Sequence, residues 1–306
     1  MAEAPVEQLL EVRGVQLCAE TFGNPGDPPL LLISGAGSSM DYWYDGLCAE
    51  LAAGSRYVIR YDHRDTGRSS TSPRGKPSYT GHDLTEDPIG ILDALGIAQA
   101  HLVGISMGGA IAQTLSVSYP DRVRTLVLIA TSTAFPPEPG AAELPGMTDE
   151  LGVAFQKPPA EPDWSDGKAV AAYLLADMKP FSSSLPADQR DLDTLTTRVT
   201  SRSHDVGAAA NHWLVVEGDA ENDGGVKHQL SDIAVSTLVL HGTEDPLFPL
   251  PHGEALAAGI SGAELITLDG MGHETPPRAT WPKVVPAILH RTADKKLPQK
   301  ASGPLN

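Results

Sequence analysis

The sequence predicts an α/β fold in which a mostly parallel central sheet carries helices on both faces. Short apolar runs, typical of strands buried on both faces, alternate with longer segments that have apolar residues at helical spacing. A strand, a helix and a further strand in succession place the two strands parallel, with the helix packed on the sheet. The 306 residues suffice for one large domain with an insertion or for two small domains.

The first half of the chain supplies most of the predicted strands. Residues 8–13 and 15–21 are strand-like runs joined through Gly14, which predicts a hairpin. A turn cluster rich in Gly and Pro then precedes a buried strand over 30–33. The pattern after it predicts, in order, a helix over 41–53, a strand over 57–61, a helix over 82–95, a strand over 101–105, a helix over 107–119 and a strand over 123–130.

The alternation of strands and helices stops at residue 131. From there to residue 232 the chain is rich in Pro, Ala and Asp and helical where it is patterned, which predicts an insertion over the sheet. The alternation then resumes with a strand over 237–240, a helix over 252–259, a strand over 264–268 and a helix over 281–290. We therefore predict a core domain of residues 1–130 and 233–293, a helical cap of residues 131–232 and a disordered tail over 294–306.

Composition and charge exclude several classes of partner. The formal net charge is -17, with 39 acidic and 22 basic residues, which argues against nucleic acid or an anionic membrane surface. Cys18 and Cys48 are too few for a disulfide framework and are predicted to be buried thiols. Neither a signal peptide nor a membrane-spanning run is visible, and no Cys/His cluster has metal-ligand spacing. The protein is therefore predicted to be cytoplasmic and to need no cofactor or metal, and its oligomeric state stays open.

One stretch carries a chemical signature. Residues 104–108 read GISMG, a G-x-S-x-G between a predicted strand and a predicted helix. A serine on such a sharp turn adopts strained backbone angles, and the flanking glycines let neighbouring chain segments approach closely. Its hydroxyl stands above the sheet edge, beside the first N–H groups of the helix. This pattern predicts Ser106 as a nucleophile, and the alternative is a Gly-rich turn without chemistry.

A serine hydroxyl is a weak nucleophile at neutral pH and needs a base, which itself needs an orienting group. Of the ten histidines, His273 stands in a Gly-flanked loop after the last predicted strand, at the sheet edge where Ser106 also projects. Asp245 follows another strand at that edge, and the chain order Ser, Asp, His suits this topology. The alternatives are a loop histidine and a turn aspartate, with Glu244 and Asp269 as weaker candidates for the carboxylate.

Negative charge on an attacked carbonyl oxygen needs hydrogen-bond donors, and two backbone N–H groups are candidates. One belongs to Met107, directly after the serine, and the other to Ala36 in the Gly-rich turn after the strand over 30–33. Gly35 and Gly37 would let that turn lie close to a substrate, although it could also be a plain strand–helix connection. Four residues of the insertion either line an apolar pocket or form packing core: Met147, Trp164, Met178 and Trp213.

The chain resembles the α/β-hydrolase superfamily over nearly its whole length. More narrowly, four segments resemble the aclacinomycin methylesterase group of anthracycline biosynthesis: residues 60–69 (RYDHRDTGRS), 102–108 (LVGISMG), 251–253 (PHG) and 270–273 (GMGH). That resemblance implies Ser106, Asp245 and His273 as the catalytic triad, and the N–H groups of Ala36 and Met107 as the oxyanion hole. The implied reaction is hydrolysis of a methyl ester on a polyketide through an acyl-enzyme.

The sequence departs from that group in one turn and leaves rival functions open. The methylesterases have Gly where Ala36 stands, a change that preserves the backbone N–H. The segment over 62–69 occurs in α/β-hydrolases with unrelated substrates, and we expect it to support the active-site loops. The same triad could instead cleave a lactone or a carbon–carbon bond or act as a perhydrolase, and the fold could serve a ligand-binding protein without turnover. We expect a small-molecule ester as the substrate.

Overall fold

The computed structural model describes residues 5–137, 140, 142–182, 184–220 and 228–293, with the backbone alone for 217–220. The predicted tail over 294–306 therefore lies outside the described residues. The strands in that part of the chain are β1 (Val6–Val12), β2 (Val15–Phe22), β3 (Pro29–Ile33), β4 (Tyr57–Tyr61), β5 (Ala100–Ile105), β6 (Val123–Ile129), β7 (Ser236–Gly242) and β8 (Glu264–Leu268).

These strands form one sheet in the order β1-β2-β4-β3-β5-β6-β7-β8. Strand β2 runs antiparallel to both of its neighbours, and all the other pairs are parallel. The prediction of a mostly parallel sheet that begins with a hairpin is thus confirmed. The α-helices of the described residues are α1 (Asp45–Ala53), α2 (Gly81–Ala94), α3 (Met107–Ser118), α4 (Asp149–Gln156), α5 (Gly167–Met178), α6 (Gln189–Arg202), α7 (Asn211–Ala220), α8 (Pro251–Gly259) and α9 (Trp281–Arg291).

Both faces of the sheet are buried, as β3 illustrates. Leu31 and Ile33 belong to one apolar cluster, which α2, α3 and α8 cover. Leu30 and Leu32 belong to a second cluster on the other face, under α1 and α9. Successive side chains of a strand point to opposite faces, so a continuous apolar run is needed wherever both faces are covered.

The stretch between β6 and β7 contains α4, α5, α6 and α7, in the region that the sequence assigns to an insertion. Side chains of Thr148, Asp166 and Asp188 cap three of these helices at their N-termini, as short polar side chains commonly do. Helices α5 and α6 share a small apolar cluster that includes Leu174 and Leu195. No helix in the described ranges is both long enough and apolar enough to cross a membrane.

An ion cluster ties α6 to the sheet. Arg202 donates to Glu7 at 2.8 Å, to Asp41 at 2.6 Å and to Asp62 at 2.9 Å. Burial raises the pKa of Asp62 to about 6, against the opposing effect of Arg202. One boundary differs from the prediction of a single helix over 41–53, because residues 40–42, which include Asp41, form a 3-10 turn and α1 begins only at residue 45.

Candidate active site

Ser106 occupies the turn between β5 and α3. Its φ of 53° and ψ of -121° lie in a region that non-glycine residues rarely adopt. The two glycines of the motif permit this turn, because a Cβ on Gly104 would lie 2.2 Å from the carbonyl oxygen of Gly108. A Cβ on Gly108 would lie 2.2 Å from the carbonyl oxygen of Ile33. The close packing of β5, α3 and β3 therefore raises Ser106 at the carboxyl end of the sheet.

The structure brings His273 and Asp245 to Ser106. Nε2 of His273 lies 3.0 Å from Oγ of Ser106, and its Nδ1 lies 2.9 Å from Oδ2 of Asp245. A carboxylate only accepts hydrogen bonds, so Nδ1 carries the proton and Nε2 is left to accept the serine hydroxyl. The three side chains form one continuous chain of hydrogen bonds.

Asp245 is almost fully buried, at 3% exposure, and its carboxylate is held by its own turn. Oδ1 accepts from the backbone N–H groups of Leu247 at 3.0 Å and Phe248 at 2.8 Å. Two such donors fix the orientation of the carboxylate and compensate for its removal from water. The loop of His273 is held as well, because the backbone N–H of His273 donates to the carbonyl of Phe181 at 2.8 Å.

The turn after β3 lies against the serine. A Cβ built on Gly35 would be 3.3 Å from Cβ of Ser106, so a side chain at residue 35 would crowd the hydroxyl. Gly37 has a φ of +72°, a left-handed conformation that glycine adopts without strain. Its N–H donates to Nδ1 of His212 at 2.9 Å. Ala36, between the two glycines, thus lies beside Ser106.

Three cavities meet around this turn. The first, of about 160 Å³, is lined by Ser106, His273 and the turn over 34–38, with aromatic walls from Tyr42 and Phe181. A second cavity of about 600 Å³ shares Tyr42 and Phe181 with the first. A third, of about 640 Å³, reaches Ser106 from the side of Met107. The serine therefore has space on two sides.

The chain matches the family described as alpha/beta hydrolase fold over residues 28–276, which is most of its length. The chain belongs to the alpha/beta hydrolase fold family.

Individual relatives of this alpha/beta hydrolase agree with that assignment. It is 28% and 27% identical to the rhodomycin D methylesterases of Streptomyces sp. (strain C5) and Streptomyces peucetius. Each alignment covers 91% of this chain and 96% of the relative. A hydrolase of Pseudomonas aeruginosa PA01 with a solved structure is similar at 25% identity and a TM-score of 0.62, with 93% of this chain and 96% of that one covered.

Four of the predicted pocket residues of this hydrolase line the 160 Å³ cavity, namely Gly35, Gly37, Met178 and Trp213. The other two predicted pocket residues, Met147 and Trp164, are not among the residues that line this cavity. Met147 is 45% exposed, on the segment that leads into α4. Trp164 packs against Tyr173, stacks under the guanidinium of Arg74 and lines only the 600 Å³ cavity. Large apolar side chains in the insertion thus serve packing as well as the cavity walls.

Sequence reasoning missed several residues around Ser106. Tyr42, Tyr44, Phe181 and Leu247 line the 160 Å³ cavity, but no local pattern distinguishes them from core aromatic and aliphatic residues. His212 was missed for the same reason. No group of three or more His, Cys, Asp or Glu side chains in the described parts of this hydrolase is arranged to hold a metal ion. Both cysteines are buried free thiols, as predicted.

Proposed function

We propose that this chain is a serine hydrolase that cleaves a carboxylic ester through an acyl-enzyme. The observation that carries the proposal is the continuous chain of hydrogen bonds from Asp245 through His273 to Ser106. A serine so placed has a base for its proton and a carboxylate that stabilises the resulting imidazolium. The strained backbone of Ser106 also agrees with a catalytic role, since such strain concentrates at functional sites.

The mechanism has two halves. Oγ of Ser106 attacks the ester carbonyl while Nε2 of His273 accepts the hydroxyl proton, and the N–H groups of Ala36 and Met107 donate to the oxyanion. His273 then gives this proton to the departing alcohol, which leaves an acyl group on Ser106. A water molecule, deprotonated by the same imidazole, attacks the acyl group. Collapse of the second tetrahedral intermediate releases the acid and returns the proton to Ser106.

For the substrate we propose the methyl ester of a bulky, polyketide-like acid. The leaving alcohol must lie within reach of His273, and His273 lines the cavity of about 160 Å³. The cavity of about 640 Å³ contains Ser106 and Met107 on its wall and offers room for the larger acyl part. The similarity to two rhodomycin D methylesterases supports a methyl ester of this kind.

The test of the nucleophile is stoichiometric labelling by a small fluorophosphonate, read by intact mass and peptide mapping. We expect one label per chain at Ser106 and no label on the Ser106→Ala variant. Ser132→Ala is the matched control, because Ser132 is another serine on the wall of the 640 Å³ cavity and its Oγ also lies beside a histidine, 2.7 Å from Nδ1 of His252. Folded wild-type protein that takes no label would contradict the proposal and favour a ligand-binding role.

A substrate panel tests the bond that is cleaved. Methyl esters of naphthoic and anthraquinone carboxylic acids are compared with aryl lactones and with a vinylogous diketone that breaks at a carbon–carbon bond. Turnover of the methyl esters supports the proposal. The enzyme could take the fluorophosphonate label but open only the lactones or cleave only the diketone. That result would support Ser106 as the nucleophile and reject the ester assignment.

A further inference from the structure

We propose that two buried histidines, His63 and His212, position the turn that supplies the oxyanion-hole N–H of Ala36. We refer to residues 34–39 as the oxyanion turn. His212 belongs to α7 of the insertion, so the insertion takes part in building the catalytic apparatus. This inference rests on the proposed function, because it assigns a role to a hole that the ester reaction requires.

The contacts of His212 are directional. The N–H of Gly37 donates to Nδ1 of His212 at 2.9 Å, and Nε2 of the same ring lies 2.7 Å from the carbonyl oxygen of Arg64. A carbonyl oxygen only accepts, so the proton of the ring sits on Nε2 and the lone pair of Nδ1 faces Gly37. The ring is fully buried and bridges the oxyanion turn to the loop after β4.

His63 holds the other end of the oxyanion turn. Its Nε2 lies 3.1 Å from the carbonyl oxygen of Ser34, and the two imidazole rings meet edge to face at 5.7 Å. The acceptor role of His212 toward Gly37 requires a neutral ring, since a protonated imidazole has only donors. Burial lowers the pKa of His63 to about 3 and also lowers the pKa of His212. The turn is thus held at residue 34 by a donor and at residue 37 by an acceptor.

His212 is itself anchored independently of the oxyanion turn. The preceding residue, Asn211, donates to Asp65 at 2.7 Å and accepts from the N–H of Gly75 at 2.7 Å. The start of α7 is therefore fixed to the loop after β4, and the turn takes its position from His212. With the N–H of Gly37 engaged, the N–H of Ala36 has no acceptor within the described residues and stays available to an oxyanion.

Two substitutions of His212 separate positioning from general stability. His212→Phe keeps a planar ring but removes the acceptor for Gly37. His212→Asn restores an acceptor, since its Oδ1 is bonded to Cγ as Nδ1 is in histidine. Initial rates with a naphthoic methyl ester, or with p-nitrophenyl acetate, give kcat and KM for folded enzyme whose active-site concentration has been titrated.

We expect His212→Phe to lower kcat about 100-fold, because small displacements of a catalytic group have effects of that size. KM should change little, and His212→Asn should recover part of kcat. An unchanged kcat, or a rise in KM alone, would overturn the inference. If His212→Phe does not fold, His212→Asn is compared with wild type and with Ala36→Pro, a variant that lacks the N–H of residue 36. A kcat of His212→Asn above that of Ala36→Pro is then the supporting result.

A measurement without substrate separates this inference from the proposed function. In uniformly ¹⁵N-labelled protein, NMR reports the tautomer of His212 and its coupling to the N–H of Gly37. A proton on Nε2 with coupling between Nδ1 and Gly37 supports the positioning contact, and a proton on Nδ1 overturns it. If this contact is present but wild type takes no fluorophosphonate label, the proposed function fails and the hydrogen bond stands.

Discussion

His273 and Asp245 lie 28 positions apart in the chain, yet Nδ1 of the histidine is 2.9 Å from Oδ2 of the aspartate. The contact exists because Asp245 follows β7 and His273 follows β8, and these adjacent parallel strands end at the same edge of the sheet. Strand pairing therefore sets the distance between the imidazole and the carboxylate. The neighbouring acid, Glu244, points away and bonds to Ser184.

Replacement of Asp245 by Asn should lower kcat by about 10⁴-fold, as in the serine protease precedent, because an amide no longer selects the Nδ1–H tautomer. Ester turnover and fluorophosphonate labelling rates would measure the loss. Glu244→Gln is the matched control and should keep nearly full activity. Equal losses in the two variants would show that the charge near the loop matters and the hydrogen bond to His273 does not.

Gly104→Ala should destabilise the protein by about 3 kcal/mol, because the new Cβ would lie 2.2 Å from a backbone oxygen that cannot move freely. The control is Gly152→Ala in α4, where a Cβ meets nothing within 4 Å. That change should be neutral or stabilise by about 0.5 kcal/mol through helix propensity. Urea denaturation compares the two, and a tolerated Gly104→Ala would mean that β5 and α3 can separate at little cost.

Arg202→Met should lower the free energy of unfolding by about 3 kcal/mol or more, since it removes the arginine that pairs with buried Asp62 and one of the two arginines that pair with buried Asp41. Arg190→Met provides the comparison from the same helix, because its side chain is 92% exposed and should contribute under about 0.5 kcal/mol. Denaturation midpoints in low salt would measure both. Similar values for the two variants would assign the effect to α6 itself and not to the ion cluster.

Buried neutral histidines should contribute a loss of stability in mild acid, which the raised pKa of Asp62 opposes. The unfolded chain binds a proton at His63 below pH 6.5, whereas burial lowers the pKa in the folded state to about 3. Burial of neutral His63 therefore costs little above pH 6.5. As the pH falls from 6.5 to 5, it lowers the free energy of unfolding by about 2 kcal/mol. The pKa of His241 is lowered in the same direction, again by burial.

His63→Gln measures this contribution, since glutamine does not titrate and keeps an N–H for Ser34. The free energy of unfolding of the variant should fall less steeply between pH 6.5 and 5 than that of wild type. His82→Gln, at an exposed helix position, is the control for a change at a surface histidine. Parallel curves for wild type and His63→Gln would rule out the linkage.

The sequence predicted the features that depend on neighbours in the chain. The buried strands β3 and β5 appeared as apolar runs, and the sheet class followed from their alternation with helices. The turn of Ser106 was recognisable because its flanking glycines are within two positions of it. Such local patterns carry information on backbone geometry but not on distant partners.

No comparable sequence pattern predicts the contacts between segments that are distant in the chain. Gly37 and His212 are separated by 175 positions, and Arg202 and Asp62 by 140. A histidine or arginine on a helix looks the same in the sequence whether it faces solvent or a buried polar group. The exposure of Met147 was unpredictable for a related reason, because an irregular segment has no periodicity that identifies its buried face.

The segment between β6 and β7 contacts the loops around Ser106 and His273, and this limits how the hydrolase can be re-engineered by segment exchange. Phe181 offers its carbonyl to the loop of His273, His212 accepts from Gly37, and Arg202 neutralises Asp62. A chimaera that imports a relative's insertion to gain new substrates would lose these three contacts together. A graft that retains these contacts and varies only the cavity walls can change selectivity without disturbing the geometry of the proposed triad and the oxyanion turn.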